Sequence, residues 1–138
     1  MKLFLDANVI FTAAYSPQGL SRGLFRVAAA GKCSLCTSAF AHEEAFRNLH
    51  NKAPEKLADL TELMKQVDIL PEPHPKWVAW ATLLPLVQKD APVLAAALQG
   101  KVDLFVTGDR RDFGHLFGRV LHGVKVLTPA DALEAVVR

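Results

Sequence analysis

Short apolar runs alternate along the chain with longer segments in which apolar residues recur every three or four positions. The short runs are rich in leucine, valine, isoleucine and phenylalanine and are bounded by polar residues, glycine or proline. This pattern is typical of short buried strands separated by helices. It predicts five strands, at residues 2–5, 33–37, 67–70, 103–107 and 124–127.

The segments between these strands carry helix start and stop residues. Ser16 and Pro17 favour a helix start before Leu20, Leu24 and Val27, with a stop at Gly31. Ser38 is a good cap for a second helix, whose predicted apolar stripe is Phe40, Ala41, Ala45 and Leu49. Further helices are predicted from Pro54, over 74–89 with a break near Pro85, around Pro92, and after Thr128-Pro129.

Alternating strands and helices favour one fold class. The pattern predicts a single α/β domain over residues 1–138, with a central, mostly parallel sheet of about five short strands and helices on both faces. A chain of 138 residues is long enough to bury about two-thirds of its surface in one core. No internal repeat or linker-like composition divides it.

Composition and charge narrow the class of protein. The 51% hydrophobic and 22% charged residues exclude a disordered chain, and a net charge of +2 excludes a strong overall basic field. The longest apolar stretch, 77–87, is too short for a membrane span. Cys33 and Cys36 make no disulfide framework and lack a second ligand pair for zinc, so we expect two packed thiols in a cytoplasmic protein.

Four acidic residues fall where parallel α/β sheets carry their ligands, outside the carboxyl ends of the strands. Asp6 follows the first strand and Asp109 the fourth, while Glu44 and Asp90 lie early in predicted helices. Carboxylates gathered in one place repel each other unless a cation lies among them. Their hard oxygen ligands suit Mg²⁺ or Mn²⁺, so the sequence predicts a divalent metal site.

Five ordered segments resemble the PIN-domain ribonucleases. The segments LFLDANVI, SAFAHEEAFRNL, KDAPVLAAAL and DLFVTGDRRDF match the four acidic motifs, and GVKVLTPADAL matches the family's terminal strand and helix. The resemblance implies RNA cleavage that depends on Mg²⁺ or Mn²⁺. Its implied catalytic residues are Asp6, Glu44, Asp90 and Asp109, with Asp6, Asp90 and Asp109 as metal ligands and Asn8, Thr107 and Asp112 as polar neighbours.

Several of these residues also have a structural interpretation. Asp6 suits a turn cap and Asp90 a helix cap, because aspartate accepts hydrogen bonds from free backbone N–H groups. Glu43 and Glu44 are adjacent, and Glu44 is favoured by its place in the family pattern. Asp112 is either a fifth ligand or the cap of a turn.

The expected partners follow from the same resemblance. Arg110, Arg111 and Arg22 are candidates for binding the RNA phosphates, since basic side chains beside an acidic pocket hold the nucleic-acid backbone. A small nuclease of this kind is similar to the toxins of VapBC-type toxin–antitoxin pairs, which implies a cognate antitoxin. The apolar stretch 77–87 is a candidate surface for a homodimer or another partner, and no membrane association is expected.

Two rival functions remain at this point. One is an inert PIN-like module that binds RNA or protein without cleaving anything. The other is a haloacid-dehalogenase-type phosphatase, which also begins with a strand ending in aspartate. That chemistry needs a second aspartate two residues later, where this chain has Asn8.

Overall fold

A six-stranded sheet forms the centre of the molecule, as a computed structural model of residues 1–138 shows. Its spatial order is β3-β2-β1-β4-β6-β5. All neighbouring strands are parallel except the β5–β6 pair, which is antiparallel. The strands are β1 (Lys2–Leu5), β2 (Ser34–Ser38), β3 (Val67–Leu70), β4 (Leu104–Val106), β5 (Val120–Leu121) and β6 (Val124–Leu127).

Eight α-helices connect and cover these strands. The helix α2 packs on both α1 and α8, while α5 packs on α6. Their bounds are α1 (Ala7–Tyr15), α2 (Leu20–Ala29), α3 (Ala39–Lys52), α4 (Leu57–Met64), α5 (Pro75–Ala81), α6 (Asp90–Gln99), α7 (Arg110–Phe113) and α8 (Pro129–Val137). None of them is long and apolar enough to cross a membrane.

The core runs through both faces of the two central strands. Leu3, Phe4 and Leu5 are all fully buried, although side chains alternate between the faces of a strand. Both faces of β1 are therefore covered, as expected of a parallel sheet between helices. Phe105 of β4 stacks on Phe4 with ring centroids 5.5 Å apart and lies 5.2 Å from the ring of Phe113.

The predicted fold class is confirmed, and all five predicted strands form with their ends shifted by at most one residue. The prediction missed β5, a two-residue strand that pairs only with β6. Val120 in this strand is 60% exposed, so no buried apolar run marks it in the sequence. Two of the predicted caps also form, since Ser38 Oγ accepts from the Ala41 N–H and Thr128 Oγ1 from the Asp131 N–H, each at 3.2 Å.

The helical predictions need three corrections. The apolar run after β1 is a helix of its own, α1, and the following helix begins at Leu20 after Gly19 rather than at Ser16 and Pro17. The helix predicted over 74–89 ends at Ala81. Phe40 is 41% exposed and does not belong to the buried stripe of α3, because it lies at the second position of the helix, outside its buried face.

The aromatic stack at the centre of the sheet predicts where stability is concentrated. Replacing Phe105 with alanine should lower the free energy of unfolding by about 4 kcal/mol, because a large buried ring leaves a cavity. Phe46, which is 46% exposed on α3, is the matched control. Phe46→Ala should change the free energy of unfolding by less than about 1 kcal/mol. Urea unfolding of both variants measures this, and equal losses would contradict the assigned core.

Candidate metal centre

Asp6 lies at the junction of β1 and α1, where two central strands end side by side. β1 and β4 pair in parallel with Leu5 opposite Val106, and the Asp6 N–H donates to the Val106 carbonyl at 3.0 Å. The Asp6 side chain caps α1, since its Oδ1 accepts from the Ala7 N–H at 2.8 Å. The cap interpretation is therefore correct, and the same side chain is also only 5% exposed at the carboxyl edge of the sheet.

Polar neighbours fix the direction of this carboxylate. The Thr107 hydroxyl donates to Asp6 Oδ2 at 2.9 Å, and the Asn8 amide donates to the same oxygen at 3.0 Å. Asn8 Oδ1 in turn accepts from the Gly108 N–H at 2.7 Å, and Thr107 Oγ1 accepts from the Asp109 N–H at 3.1 Å. One hydrogen-bond network thus links the ends of β1 and β4, orients the Asp6 carboxylate and fixes the backbone of Asp109.

Three further carboxylates meet beside this network. Asp90, Asp109 and Asp112 each place an oxygen within 4.8 Å of the others. Asp109 caps the short helix α7, with its Oδ1 accepting from the Asp112 N–H at 3.0 Å. Asp112, expected either as a ligand or as a turn cap, therefore contributes its carboxylate to the cluster.

One oxygen of the cluster has no partner. Asp90 is the first residue of α6 rather than its cap, is only 7% exposed, and its Oδ2 accepts no hydrogen bond. Buried polar atoms in native proteins almost always have a partner, so an orphaned carboxylate oxygen indicates a missing cation or water. Hard carboxylate oxygens grouped this closely fit a divalent ion such as Mg²⁺ or Mn²⁺.

Burial and mutual repulsion make these acids hold protons unusually well. Burial raises the pKa of Asp6 to about 6, and the charge of Glu44 adds a smaller increase. The hydrogen bonds that Asp6 accepts lower its pKa, but they offset only part of this rise. Burial also raises the pKa of Asp90 to about 7, with further increases from Asp112 and Asp6. Since each charge raises the pKa of a neighbour, Asp6, Glu44, Asp90 and Asp112 share one electrostatic pocket.

Glu44 rather than Glu43 faces this pocket. Glu44 forms an ion pair with Lys89, whose Nζ is 3.5 Å from Glu44 Oε1. The charge of Glu44 also raises the pKa of Asp6. Glu43 is exposed and lines a separate cavity beside Ser38. Lys89, which pairs with one of these acids, was not among the predicted residues, although it directly precedes Asp90 in KDAPVL. Glu44 and Asp90 raise the pKa of Lys89 and keep it charged.

The three predicted phosphate-binding arginines do not lie together. Arg110 lines a cavity of about 340 Å³ together with Asn8 and Gly108, beside the acids, and Arg111 next to it is exposed. Arg22 instead donates to the Ala13 carbonyl at 2.6 Å. That carbonyl lies near the end of α1 far from Asp6, so the structure does not bring Arg22 to the acidic pocket.

Comparison with known proteins places this arrangement in a family. The family model described as PIN domain matches residues 2–111, more than half of the chain. No curated protein sequence matches it.

Three solved structures share the fold at low sequence identity. VapBC2 from Rickettsia felis, bound to a DNA fragment from its promoter, has a TM-score of 0.70 and 11% identity, covering 93% of this chain and 98% of that one. PAE2754 from Pyrobaculum aerophilum has a TM-score of 0.65 and 17% identity, covering 99% and 98%. FitAB bound to the IR36 DNA fragment has a TM-score of 0.54 and 18% identity, covering 92% and 94%. The chain belongs to the PIN domain family.

Proposed function

We propose that this PIN domain is an Mg²⁺- or Mn²⁺-dependent endoribonuclease and the toxin of a VapBC-type toxin–antitoxin pair. The observation that carries the proposal is the buried acidic pocket, in which Asp90 keeps an oxygen without a hydrogen-bond partner. A folded protein bears the repulsion of such a pocket more readily when a cation occupies it.

The proposed roles divide among the acids. Asp90, Asp109 and Asp112 have the closest oxygens and form the main cation site. Asp6 completes it from the end of β1, oriented by Thr107 and Asn8 rather than free to turn. Glu44 lies on the other side of Asp6 and is held by Lys89.

A bound divalent ion supplies two things to phosphodiester hydrolysis, a water of lowered pKa and neutralisation of charge on the phosphate. The protein's own contribution is to place the substrate. Arg110 and Arg111 follow Asp109 directly and lie where they offset the repulsion between an RNA phosphate and the acids. Lys89, with a side chain 58% exposed, adds a further positive charge at the rim.

The proposed toxin role is supported by solved structures that share this fold. VapBC2 and FitAB, both toxin–antitoxin complexes bound to DNA, have the fold of this chain. An antitoxin that blocks the pocket needs a basic side chain to satisfy the acids, since their repulsion is otherwise relieved only by a cation. A homodimer is a further proposal, because exposed apolar side chains favour association.

The rival functions have less support. An inert module has no need to keep such a pocket, because Glu44 raises the pKa of Asp6, and Asp6 and Asp112 raise that of Asp90, which lowers stability at neutral pH. The phosphatase alternative is excluded by the family match. In addition, Asn8 occupies the place of its general acid and donates to Asp6 through an amide.

Replacing Asp6 with asparagine should reduce RNA cleavage by at least about a hundredfold, because a metal ligand is lost while the side chain keeps its shape. The fold should remain intact, since asparagine also caps helices and one charge leaves the pocket. Cleavage of a labelled single-stranded RNA with Mn²⁺ measures this. Asp68→Asn, on the exposed side of β3, is the control and should cleave normally. Equal rates for Asp6→Asn and the unaltered protein would contradict the proposal.

The raised pKa values predict how stability varies with pH. In chelator, the free energy of unfolding should fall as pH rises from about 4 to about 7, because Asp6 and Asp90 keep protons in the folded state that the unfolded chain has lost. This contribution is present at low pH and is lost as pH passes the folded pKa values. Mn²⁺ should therefore stabilise the protein more at pH 8 than at pH 6.

Thermal unfolding with chelator and with millimolar Mn²⁺ tests this dependence at both pH values. Asp90→Asn should flatten the fall in chelator and weaken the response to Mn²⁺, whereas Asp68→Asn should change neither. A pH profile that is the same for Asp90→Asn and the unaltered protein, with no response to Mn²⁺, would show that the pocket is not a cation site.

Expression of the chain alone in a bacterial host that lacks an antitoxin should arrest growth, because nothing then blocks the pocket. Asp6→Asn should abolish the arrest and Asp68→Asn should preserve it. Growth curves after induction, together with the amount of soluble protein, measure this. Normal growth in the presence of soluble, RNA-cleaving protein would instead indicate an RNA-processing nuclease.

A further inference from the structure

The end of the sheet opposite the acids carries a second recessed surface, which we call the indole groove. It is formed by α5 and by the turns that lead into β4 and β6. Its residues are Lys76, Trp77, Trp80, Lys101 and His122. None of them contributes to the acidic pocket.

The aromatic side chains of the groove form a rigid centre. The His122 ring meets Trp77 and Trp80 edge-on, with centroid distances of 5.2 and 4.4 Å. Two adjoining cavities of about 530 and 240 Å³ share Trp77 and His122 in their linings. The stretch 77–87 thus does more than cover the core, since its tryptophans line an open groove.

The backbone at the groove is unusual in two places. Lys101, with a φ of 51°, and His122, with a φ of 48°, are the only residues other than glycine with a positive φ. Lys101 follows the end of α6, and His122 forms the two-residue β5–β6 turn with Gly123, both positions at which glycine or asparagine is preferred. Both side chains nevertheless line the same cavity. At both positions the backbone has an unfavourable positive φ, and the two side chains place a cation and an imidazole in one groove.

The charges around the groove indicate what binds there. The Lys76 ammonium lies 5.9 Å from the centre of the Trp77 ring, and Lys101 lines the larger cavity together with Trp77. Asp103 is the one acid in the lining, and its Oδ2 already accepts from the backbone N–H of Lys2 at 2.7 Å. Flat aromatic surfaces flanked by cations are suited to a nucleotide, whose base stacks while its phosphate meets the lysines.

We propose that the indole groove binds single-stranded RNA, as an anchoring site separate from the acidic pocket. The choice of RNA as ligand rests on the proposed ribonuclease function. A second copy of the chain fits less well, because a two-fold contact centred on the groove would gather Lys76 and Lys101 of both copies, four lysines, in one interface. Four residue steps along β4 separate Asp103 from Thr107, about 13 Å, so the two sites lie at opposite ends of the sheet and an RNA strand that reaches both must extend past at least this length.

The test uses the positive φ values. His122→Gly and Lys101→Gly replace these residues by the one that their backbone favours, so both variants should fold. The Tm of Lys101→Gly should be unchanged or raised, and that of His122→Gly should change little, because the backbone gain offsets the ring contacts that are lost. Binding of a labelled 12-nucleotide single-stranded RNA is measured by fluorescence anisotropy in chelator, where cleavage does not occur. Each variant should weaken binding about tenfold, the effect of losing one stacking or phosphate contact. Lys65→Ala, which removes an exposed lysine from the end of α4, is the charge-matched control and should change the Kd less than twofold.

The outcomes separate this inference from the proposed function. Weakened binding with an intact or raised Tm supports the groove even if the protein cleaves no RNA. Unchanged RNA affinity in both glycine variants overturns it, even if cleavage at the acidic pocket is normal. Sedimentation that shows a dimer lost in His122→Gly, with unchanged RNA affinity, overturns it in favour of self-association.

Discussion

The mutual repulsion of buried carboxylates is the constraint on which the rest of this structure depends. Asp6 and Asp90 are each less than a tenth exposed, and each is affected by the charge of another acid in the pocket. Such groups lower stability at neutral pH unless they are protonated or neutralised. Among the buried side-chain oxygens of the molecule, all but one have a hydrogen-bond partner, and both oxygens of Asp6 accept such bonds. The exception, on Asp90, is the best-placed oxygen for a cation.

The parallel sheet makes this concentration of charge possible. β1 and β4 lie side by side at the centre of the sheet and end at the same edge, so Asp6 and Thr107 meet across about a hundred residues of sequence. Two of these acids also have a structural role, because Asp6 caps α1 and Asp109 caps α7. Asp6 and Asp109 therefore each have a capping contact that fixes the direction of the carboxylate, and an asparagine in place of either residue can keep that contact while removing the charge.

The sequence was sufficient for the fold class, the five longer strands and the acids expected to meet, because apolar runs and acidic motifs are local patterns. It was insufficient where tertiary contacts decide. The run Val9-Ile10-Phe11 suits a strand or a helix by composition, and in the structure it lies in α1, which Asp6 caps and which packs on α2, α3 and α4. Arg22 had the right charge for phosphate binding, but its contact with the Ala13 carbonyl depends on how α2 packs on α1. Lys89 was overlooked because an exposed lysine is common and its pairing with Glu44 spans two distant helices.

The two ends of the sheet differ in a way that the net charge of +2 conceals. At the carboxyl edge, acids would repel an RNA phosphate unless a cation or Arg110 and Arg111 offset them. At the opposite edge, Lys76 and Lys101 line a groove with the indole rings, and under the proposed RNA binding they would attract the same polyanion without a metal. Under the proposed function, affinity for the strand and its chemistry are therefore supplied by separate surfaces. Without a cation the acidic pocket repels phosphate. Under the proposal this does not prevent RNA binding, because the indole groove and not the pocket attaches the RNA.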